Sequence, residues 1–287
     1  MLFDALKAET YRILRNRITI LFSVVLVPVL FAAGSIAYHM ISEAKGGELA
    51  AKLGIAVVSS QPVNIGEAFV MAADKGANGA VLVFMLIAAA TVYAGDYRWE
   101  TWRLISARND RTSLILGKVG TMKVLALATM GLFLIASVVY LIAQAMIYER
   151  PMSFSVGAAE AGDAILLAVL SFVRIIQFGL VALLTAVLTR SLLASLFAPW
   201  VLGFGQSILG QLPVMMLLGL KPGDWTSQLM LPGLAYDTLK GMVVPGITSI
   251  PGVENAMFPA LVGLALWTLV PLALAILWFR RQDLSKE

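Results

Sequence analysis

The sequence predicts an all-α integral membrane protein with six transmembrane helices, an N-terminal interfacial amphipathic helix and a short cytoplasmic helix between the second and third spans. Of the 287 residues, 60% are hydrophobic and only 13% are charged, whereas soluble domains carry about 25% charged residues. The mean hydropathy is +0.88. Six apolar runs are long enough to cross a bilayer, which takes about 20 residues. A single transmembrane domain over residues 1–287 is therefore expected.

The N-terminal segment, residues 2–17, predicts an amphipathic helix. Phe3 and Leu6 fall near one face of this helix, and Lys7 and Arg12 fall toward the other. A helix of this kind lies in the membrane interface with its apolar face in lipid. A simple basic anchor for the first span is the alternative.

Apolar runs without charge mark the spans. The first run, from Ile18 to Tyr38, exceeds the roughly 7–15 apolar residues of a secretory signal and is expected to be retained. The fifth is interrupted by Pro199, and such a break is typical of a pathway, a hinge or an ordinary kinked span. The predicted spans are about 18–41, 77–95, 119–147, 164–189, 192–219 and 257–279.

Two longer segments connect spans on the outer side. Residues 43–76 predict an ordered or partly ordered loop, in which Leu53–Ser59 forms a strand or a short helix. Residues 220–256 are rich in Pro and Gly around the amphipathic piece Ala235–Val243. That piece predicts a helix lying in the interface, with a re-entrant hairpin as the alternative.

The distribution of basic residues predicts the orientation, because Lys and Arg in short loops stay on the cytoplasmic side. With six spans, fourteen of the 21 basic residues fall on the side of the two termini. Both termini are therefore expected in the cytoplasm. The excess positive charge is explained by topology and needs no nucleic acid.

The loop between the second and third spans carries the strongest motif. On a helix, Trp99, Trp102 and Ile105 align on one side, while Arg98 and Arg103 keep to the polar side. The pattern favours a short amphipathic helix that offers a basic, aromatic surface. Such a surface suits a protein partner and an anionic lipid surface equally well.

The same loop resembles that of the ABC-2 type permeases, the membrane subunits of ABC exporters. The resemblance rests on Glu100 and Thr101, on the stretch 104–106, on Arg111 and on Gly117-Lys118, at matching spacings. The family's Gly before Thr101 is absent, and Arg108 occupies its Pro position. The order of the spans and the basic lead-in also match along the whole chain.

The resemblance implies a permease subunit that is itself not an enzyme and whose loop acts as a coupling helix on a separate ATPase subunit. Arg103, Arg108 and Arg111 would contact the ATPase, and Glu100 would brace the loop. Two ATPase copies, holding ATP and Mg²⁺, and a second permease copy or a paralogue would complete an exporter in a bacterial or archaeal plasma membrane. Its substrate would be a drug, a peptide, a lipid or a lipid-linked glycan.

Arg174 is the one ionisable residue in the middle of a predicted span. An arginine at this depth costs about 2.5–3.5 kcal/mol on insertion scales and needs polar partners. Gln177 lies one turn away, and Gln144 and Gln206 are candidates from other spans. Arg174 is either a substrate contact or gate in the pathway, or a buried structural residue.

Several classes are disfavoured. With no cysteine and one histidine, thiolate chemistry and Cys or His metal sites are not expected. Gly117-Lys118 is not a phosphate-binding loop, because Thr112 and Val119 occupy positions that need Gly and Ser or Thr. No catalytic residue, metal or cofactor is therefore expected in this chain. A self-contained secondary carrier and a membrane scaffold are the alternatives to the exporter subunit.

Overall fold

The computed structural model describes residues 2–53, 61–99, 101–102, 110–248 and 250–283, with side chains 47–53 excepted. It confirms an all-α membrane protein: six helices are long and apolar enough to cross a membrane. They are Arg17–Gly46, Gly79–Arg98, Arg111–Ile147, Ala158–Thr189, Leu192–Leu209 and Met257–Arg281.

In chain order the helices are α1 (Leu2–Arg15), α2 (Arg17–Ile20), α3 (Leu26–Leu53), α4 (Glu67–Lys75), α5 (Gly79–Arg98), α6 (Arg111–Ile147), α7 (Ala158–Thr189), α8 (Leu192–Leu209), α9 (Leu212–Leu217), α10 (Trp225–Met230), α11 (Pro232–Val243) and α12 (Met257–Arg281). A π-helical turn, Leu21–Val25, joins α2 to α3 in the first span. Strands β1 (Val63–Asn64) and β2 (Met152–Ser153) pair in parallel.

Some helix ends differ from the predicted spans. The third span begins at Arg111, where the Asp110 side chain caps the helix by accepting from the Ser113 amide. The fifth span ends at Leu209 and not near residue 219. Gln211 is extended, and Pro213 lies in the first turn of a separate short helix. A backbone N–H at that position would have no partner within the helix, so proline is tolerated there.

The crossings define two ends of the molecule. The end with α1 and the last turn of α12 is called the terminal face, since an even number of crossings brings both termini to one side. The opposite end, with the β1–β2 pair, α4 and α10–α11, is called the far face. Residues 54–60, which include most of the predicted Leu53–Ser59 piece, lie outside the described residues.

Helix α1 packs along α6 and is not held by lipid alone. Ala5 and Ile13 are buried on its inner side. A Cβ on Gly117 would lie 3.0 Å from the Cβ of Ala5, so the two helices touch closely at this glycine. Phe3 and Leu14 are exposed on the outer side, where an interfacial helix meets lipid.

Helices α10 and α11 form a re-entrant hairpin, and not a helix lying flat in the interface. The indole Nε1 of Trp267 donates to the Leu229 carbonyl at the tip of the hairpin, at 2.8 Å. Trp267 is ten residues from the start of α12 at Met257, about 15 Å along the helix. Gln228 is fully buried and donates to the Pro222 carbonyl at 2.8 Å.

Candidate functional site

Four charged side chains meet beneath the loop on the terminal face. Glu9 and Arg12 come from α1, Asp96 from the end of α5, and Lys118 from α6. Arg12 binds Asp96 at 2.5 Å and Glu9 at 2.7 Å. Lys118 pairs with Asp96 and lies 3.1 Å from Glu9. These four residues, called the ion cluster here, join three helices and carry no net charge.

The ion cluster is closed to solvent at its centre. Lys118 is 0% exposed and Asp96 is 1% exposed. Water does not solvate these charges, so each is stabilised by its ion-pair and hydrogen-bond partners instead. The Lys118 ammonium also donates to the Val92 carbonyl at 2.7 Å. Burial lowers the pKa of Arg12, but the bond to Asp96 and the charge of Glu9 raise it above its ordinary value. Arg12 is therefore held in its charged form.

The start of the loop is anchored in this cluster. The Thr101 hydroxyl donates to the Asp96 carboxylate at 2.6 Å. Trp102 is fully buried, with the Lys118 ammonium 4.9 Å from its ring centroid. Its ring also contacts Phe279 near the end of α12, at 4.5 Å between centroids, and Tyr97 of α5 at 5.5 Å. The first residues of the loop are therefore fixed to α5, α6 and α12.

The end of the loop is anchored to the same helix. The Arg111 guanidinium donates to the carbonyls of Phe279, Arg280 and Gln282 at 3.2, 3.1 and 2.7 Å. These carbonyls belong to the last turn of α12, where backbone acceptors have no partner within the helix. Gln282 in turn donates to the Val187 carbonyl of α7 at 2.6 Å. Both ends of the loop thus converge on the terminal end of α12.

The predicted loop residues divide into three groups. Glu100, Arg103 and Arg108 lie outside the described residues, as does most of the predicted amphipathic helix. Thr101 and Arg111 point into the protein and bind its own groups. The described bonds of Arg111 go to the end of α12, its side chain is only half-buried, and its contact with an ATPase stays a prediction.

Gly117 and Lys118 are also internal. Gly117 provides the close contact between α6 and α1, and Lys118 is the buried cation of the ion cluster. Both residues are buried within the described chain, so any part they take in coupling is through the helices they join. Glu9 and Asp96 were not among the predicted site residues, although an acidic residue inside the apolar end of a span, as Asp96 is, signals a buried partner.

Arg174 is buried in α7 and makes no ion pair with a described residue. Its guanidinium donates to the Gln177 side-chain oxygen at 3.3 Å and lies 4.7 Å from the ring centroid of Phe178. It shares a cavity of about 10 Å³ with Gln177 and Gln206, which is room for about one water molecule.

Gln144 does not belong to this group. It lies three residues from the far-face end of α6 at Ile147, about 5 Å along the helix. Arg174 lies sixteen residues from the far-face end of α7 at Ala158, about 24 Å along it. Of the predicted pathway residues, the structure therefore brings together Arg174, Gln177 and Gln206.

An ion pair ties the hairpin to α4 on the far face. The Asp74 carboxylate binds Lys240 of α11 at 2.5 Å and Lys75 at 2.7 Å. Burial raises the pKa of Asp74, but hydrogen bonds and charge from the two lysines outweigh it and leave this pKa below its ordinary value. Burial also raises the pKa of Asp237, and the Lys240 and Arg174 charges offset only part of that rise.

Within the described ranges, no group of three His, Asp or Glu side chains gathers in a way that could hold a metal ion. The described contacts of the terminal-face site are ion pairs and hydrogen bonds, which fix helices and the ends of the loop relative to one another.

Comparison with known proteins places the chain in a family without assigning it an activity. No curated protein and no solved structure matches it. A family described as "Protein of unknown function (DUF2705)" matches residues 25–285, which run from the first spanning helix to just beyond the end of the last. The chain belongs to the DUF2705 family.

Proposed function

We propose that this chain is the membrane subunit of an ABC exporter, driven by a separate ATPase subunit. The observation that supports the proposal most strongly is the double anchoring of the loop between the second and third spans. Trp102 ties its start, and Arg111 ties its end, to the last turn of α12. The resemblance of this loop to the ABC-2 coupling helix is the second support.

A coupling element has to transmit displacement without bending. A loop joined by flexible linkers would absorb a push from a partner, whereas one fixed at both ends passes it to the helices beneath. Thr101 is hydrogen-bonded to Asp96 of α5, which binds Arg12 of α1 and Lys118 of α6. Arg111 is hydrogen-bonded to the end of α12. A force on the loop would therefore move at least four helices together, as alternating access requires.

In this proposal ATP and Mg²⁺ bind in the partner, and the chain itself has no catalytic residue. Two ATPase subunits act on two membrane subunits, which are identical copies or paralogues. The complex lies in a bacterial or archaeal plasma membrane with the terminal face in the cytoplasm. Drugs, peptides, lipids and lipid-linked glycans are the substrate classes to test, and Arg174, Gln177 and Gln206 line the proposed pathway or its gate.

Affinity purification from native membranes tests the proposal. The full chain, tagged at one terminus and extracted in mild detergent, should retain a protein with a Gly-x-x-x-x-Gly-Lys-Ser/Thr phosphate-binding loop. The double variant Arg103→Glu, Arg108→Glu should lose this partner, because its charge reversal falls on the proposed docking helix.

A matched control separates docking from general charge effects. Lys221→Glu changes an exposed lysine on the far face and should leave the partner bound. Absence of any ATPase from the wild-type preparation, or equal retention by the loop variant and wild type, would contradict the proposal and favour a self-contained carrier or a scaffold.

A further inference from the structure

A second pocket opens on the terminal face beside the ion cluster. It lies where α1 gives way to α2 and where α5 ends, and its volume is about 450 Å³, within the range of about 300–1,000 Å³ typical of ligand sites. Its lining includes Arg12, Arg15 and Asn16 on one side, Trp99 at the mouth, and Thr91 and Val92 along the wall.

The polar side of this pocket has hydrogen-bond donors that no described acceptor uses. Arg15 is exposed and its one described hydrogen bond goes from Nη2 to the Tyr11 hydroxyl at 2.5 Å, which leaves other guanidinium N–H groups free. The Asn16 side-chain oxygen caps α2 by accepting from the Thr19 amide at 3.2 Å. Asn16 is exposed, and no described hydrogen bond uses its NH₂ group, which can serve as a donor. The free groups suit an anion with several acceptor oxygens.

Among the described residues of the lining, the one carboxylate, Asp96, does not oppose an anion. Asp96 accepts from Arg12 and Thr101 and pairs with Lys118, so its charge is already compensated within the ion cluster. Arg15 adds a positive charge that no described carboxylate pairs with. The described residues at the mouth of the pocket therefore carry a net positive charge.

Below the mouth the described wall is uncharged, the Thr91 hydroxyl is already bonded to the Ile87 carbonyl, and the pocket runs along α5 toward the membrane. Thr91 and Val92 lie seven to eight residues before Trp99 on α5, about 10–12 Å deeper along the helix. Leu14 is 57% exposed and Ile18 is 71% exposed on the adjoining α1 and α2. Trp99 is 71% exposed at the mouth, at the level where indole rings favour lipid headgroups. A ligand that matches both parts carries a phosphate and an acyl chain.

We propose that this pocket binds the headgroup phosphate of an anionic phospholipid through Arg15, Arg12 and the Asn16 amide, with an acyl chain along Thr91 and Val92. Basic pockets between spanning helices are established binding places for such headgroups. The bound lipid would lie against the ion cluster and the start of the loop. This inference does not depend on an ATPase partner.

Fluorescence quenching tests the site in the purified full chain. Detergent micelles are titrated with phosphatidylglycerol or phosphatidylcholine whose acyl chains are brominated near the ester, and the Trp99 signal is taken as the difference between wild type and Trp99→Phe. Phosphatidylglycerol should quench Trp99 at about fivefold lower mole fraction than phosphatidylcholine. Arg15→Gln should remove about fivefold of that preference, the effect expected of one arginine near anionic lipid.

Arg280→Gln is the matched control, since Arg280 is exposed on the same face outside the pocket. It should keep the wild-type preference, and both variants should keep the wild-type helical content. Equal quenching by the two lipids would overturn the proposal, as would an equal loss in Arg280→Gln. Reversal of quenching by inorganic phosphate would overturn the lipid assignment in favour of a soluble anion.

Discussion

Trp102, at the start of the loop, lies with its ring centroid 4.5 Å from that of Phe279 on the last spanning helix, and both side chains are almost completely buried. Trp99, only three residues earlier, is 71% exposed. Two tryptophans of one motif therefore have different roles: one holds the loop to the bundle, and the other stays available to lipid or to a partner.

This difference predicts unequal effects of truncation. Trp102→Ala should lower the free energy of unfolding by about 3–5 kcal/mol, because it empties a large core position. Trp99→Ala should change it by no more than about 0.5 kcal/mol. Thermal and denaturant unfolding in detergent, followed by helical circular dichroism, measures both. Equal stability of the two variants would show that the loop is not anchored through Trp102.

The ion cluster predicts a strong effect of removing Lys118. Among the described residues, Lys118→Met leaves Asp96 and Glu9 with Arg12 as their only charged partner, and breaking a buried pair on one side costs about 3–5 kcal/mol. The double variant Lys118→Met, Asp96→Leu should regain most of this loss, because it leaves the neutral pair of Glu9 and Arg12. The same unfolding measurement compares them.

Lys123→Met on the same helix is the control, since Lys123 is exposed. Its replacement should change the free energy of unfolding by no more than about 0.5 kcal/mol. A double variant as unstable as the single one would mean that the cluster stabilises the fold by its shape and not by charge compensation.

The spans were predictable because a bilayer imposes a length and an apolar composition on every crossing helix. The ion cluster was not, because Arg12 and Asp96 are 84 residues apart and periodicity along one helix says nothing about its neighbour. Periodicity also could not show that Arg111 and Lys118, which the loop motif assigned to a partner, form bonds with groups of their own chain. The sequence pattern allowed both a hairpin and a flat interfacial helix, and only the contact between Trp267 and Leu229, well inside the last spanning helix, distinguishes them.

The hairpin predicts a contrast between two glycines. A Cβ on Gly263 would lie 2.3 Å from the Gln228 carbonyl oxygen, so Gly263→Ala should displace α10 from α12. Gly205 has no atom within 4 Å of such a Cβ, and Gly205→Ala should stabilise its helix by about 0.5–1 kcal/mol.

Because the chain has no cysteine, Ser227→Cys gives a single thiol on the fully buried side of α10. Its reaction with a pyridyl disulfide should be faster in the Gly263→Ala background and unchanged in the Gly205→Ala background. Equal rates in all three proteins would rule out the tight packing of the hairpin against α12.

The final prediction concerns the pH dependence of the ion pair that holds the hairpin. The pKa of Asp74 is lowered by Lys240 and Lys75 despite burial. A carboxyl whose pKa is lower in the folded protein stabilises it above the unfolded pKa, which is about 3.9, and loses this contribution as the pH falls through the folded value. The hairpin should therefore stay closed at neutral pH and open only in acid below about pH 4.

The two lysines allow a matched test because they share one carboxylate. The Lys240 side chain is 11% exposed, and that of Lys75 is 55% exposed. Lys240→Met should lower the free energy of unfolding by about 1.5–3 kcal/mol at neutral pH, as expected for a charged hydrogen bond that is shielded from solvent. It should also shift opening of the hairpin to higher pH, because burial raises the pKa of Asp74 and one of the two lysines that lower it is gone. Lys75→Met should cost at most about 1 kcal/mol, since its pair is solvent-screened.

Reaction of the Ser227→Cys thiol with an acid-active pyridyl disulfide, measured from pH 7 downward, reports the opening in each background. If Lys240→Met opens at the same pH as wild type, the link from Asp74 to α11 does not hold the hairpin. Its position would then depend on other contacts, among them the Trp267 bond to Leu229 and the Ser171 bond to Tyr236, and Trp267→Phe would become the more damaging substitution.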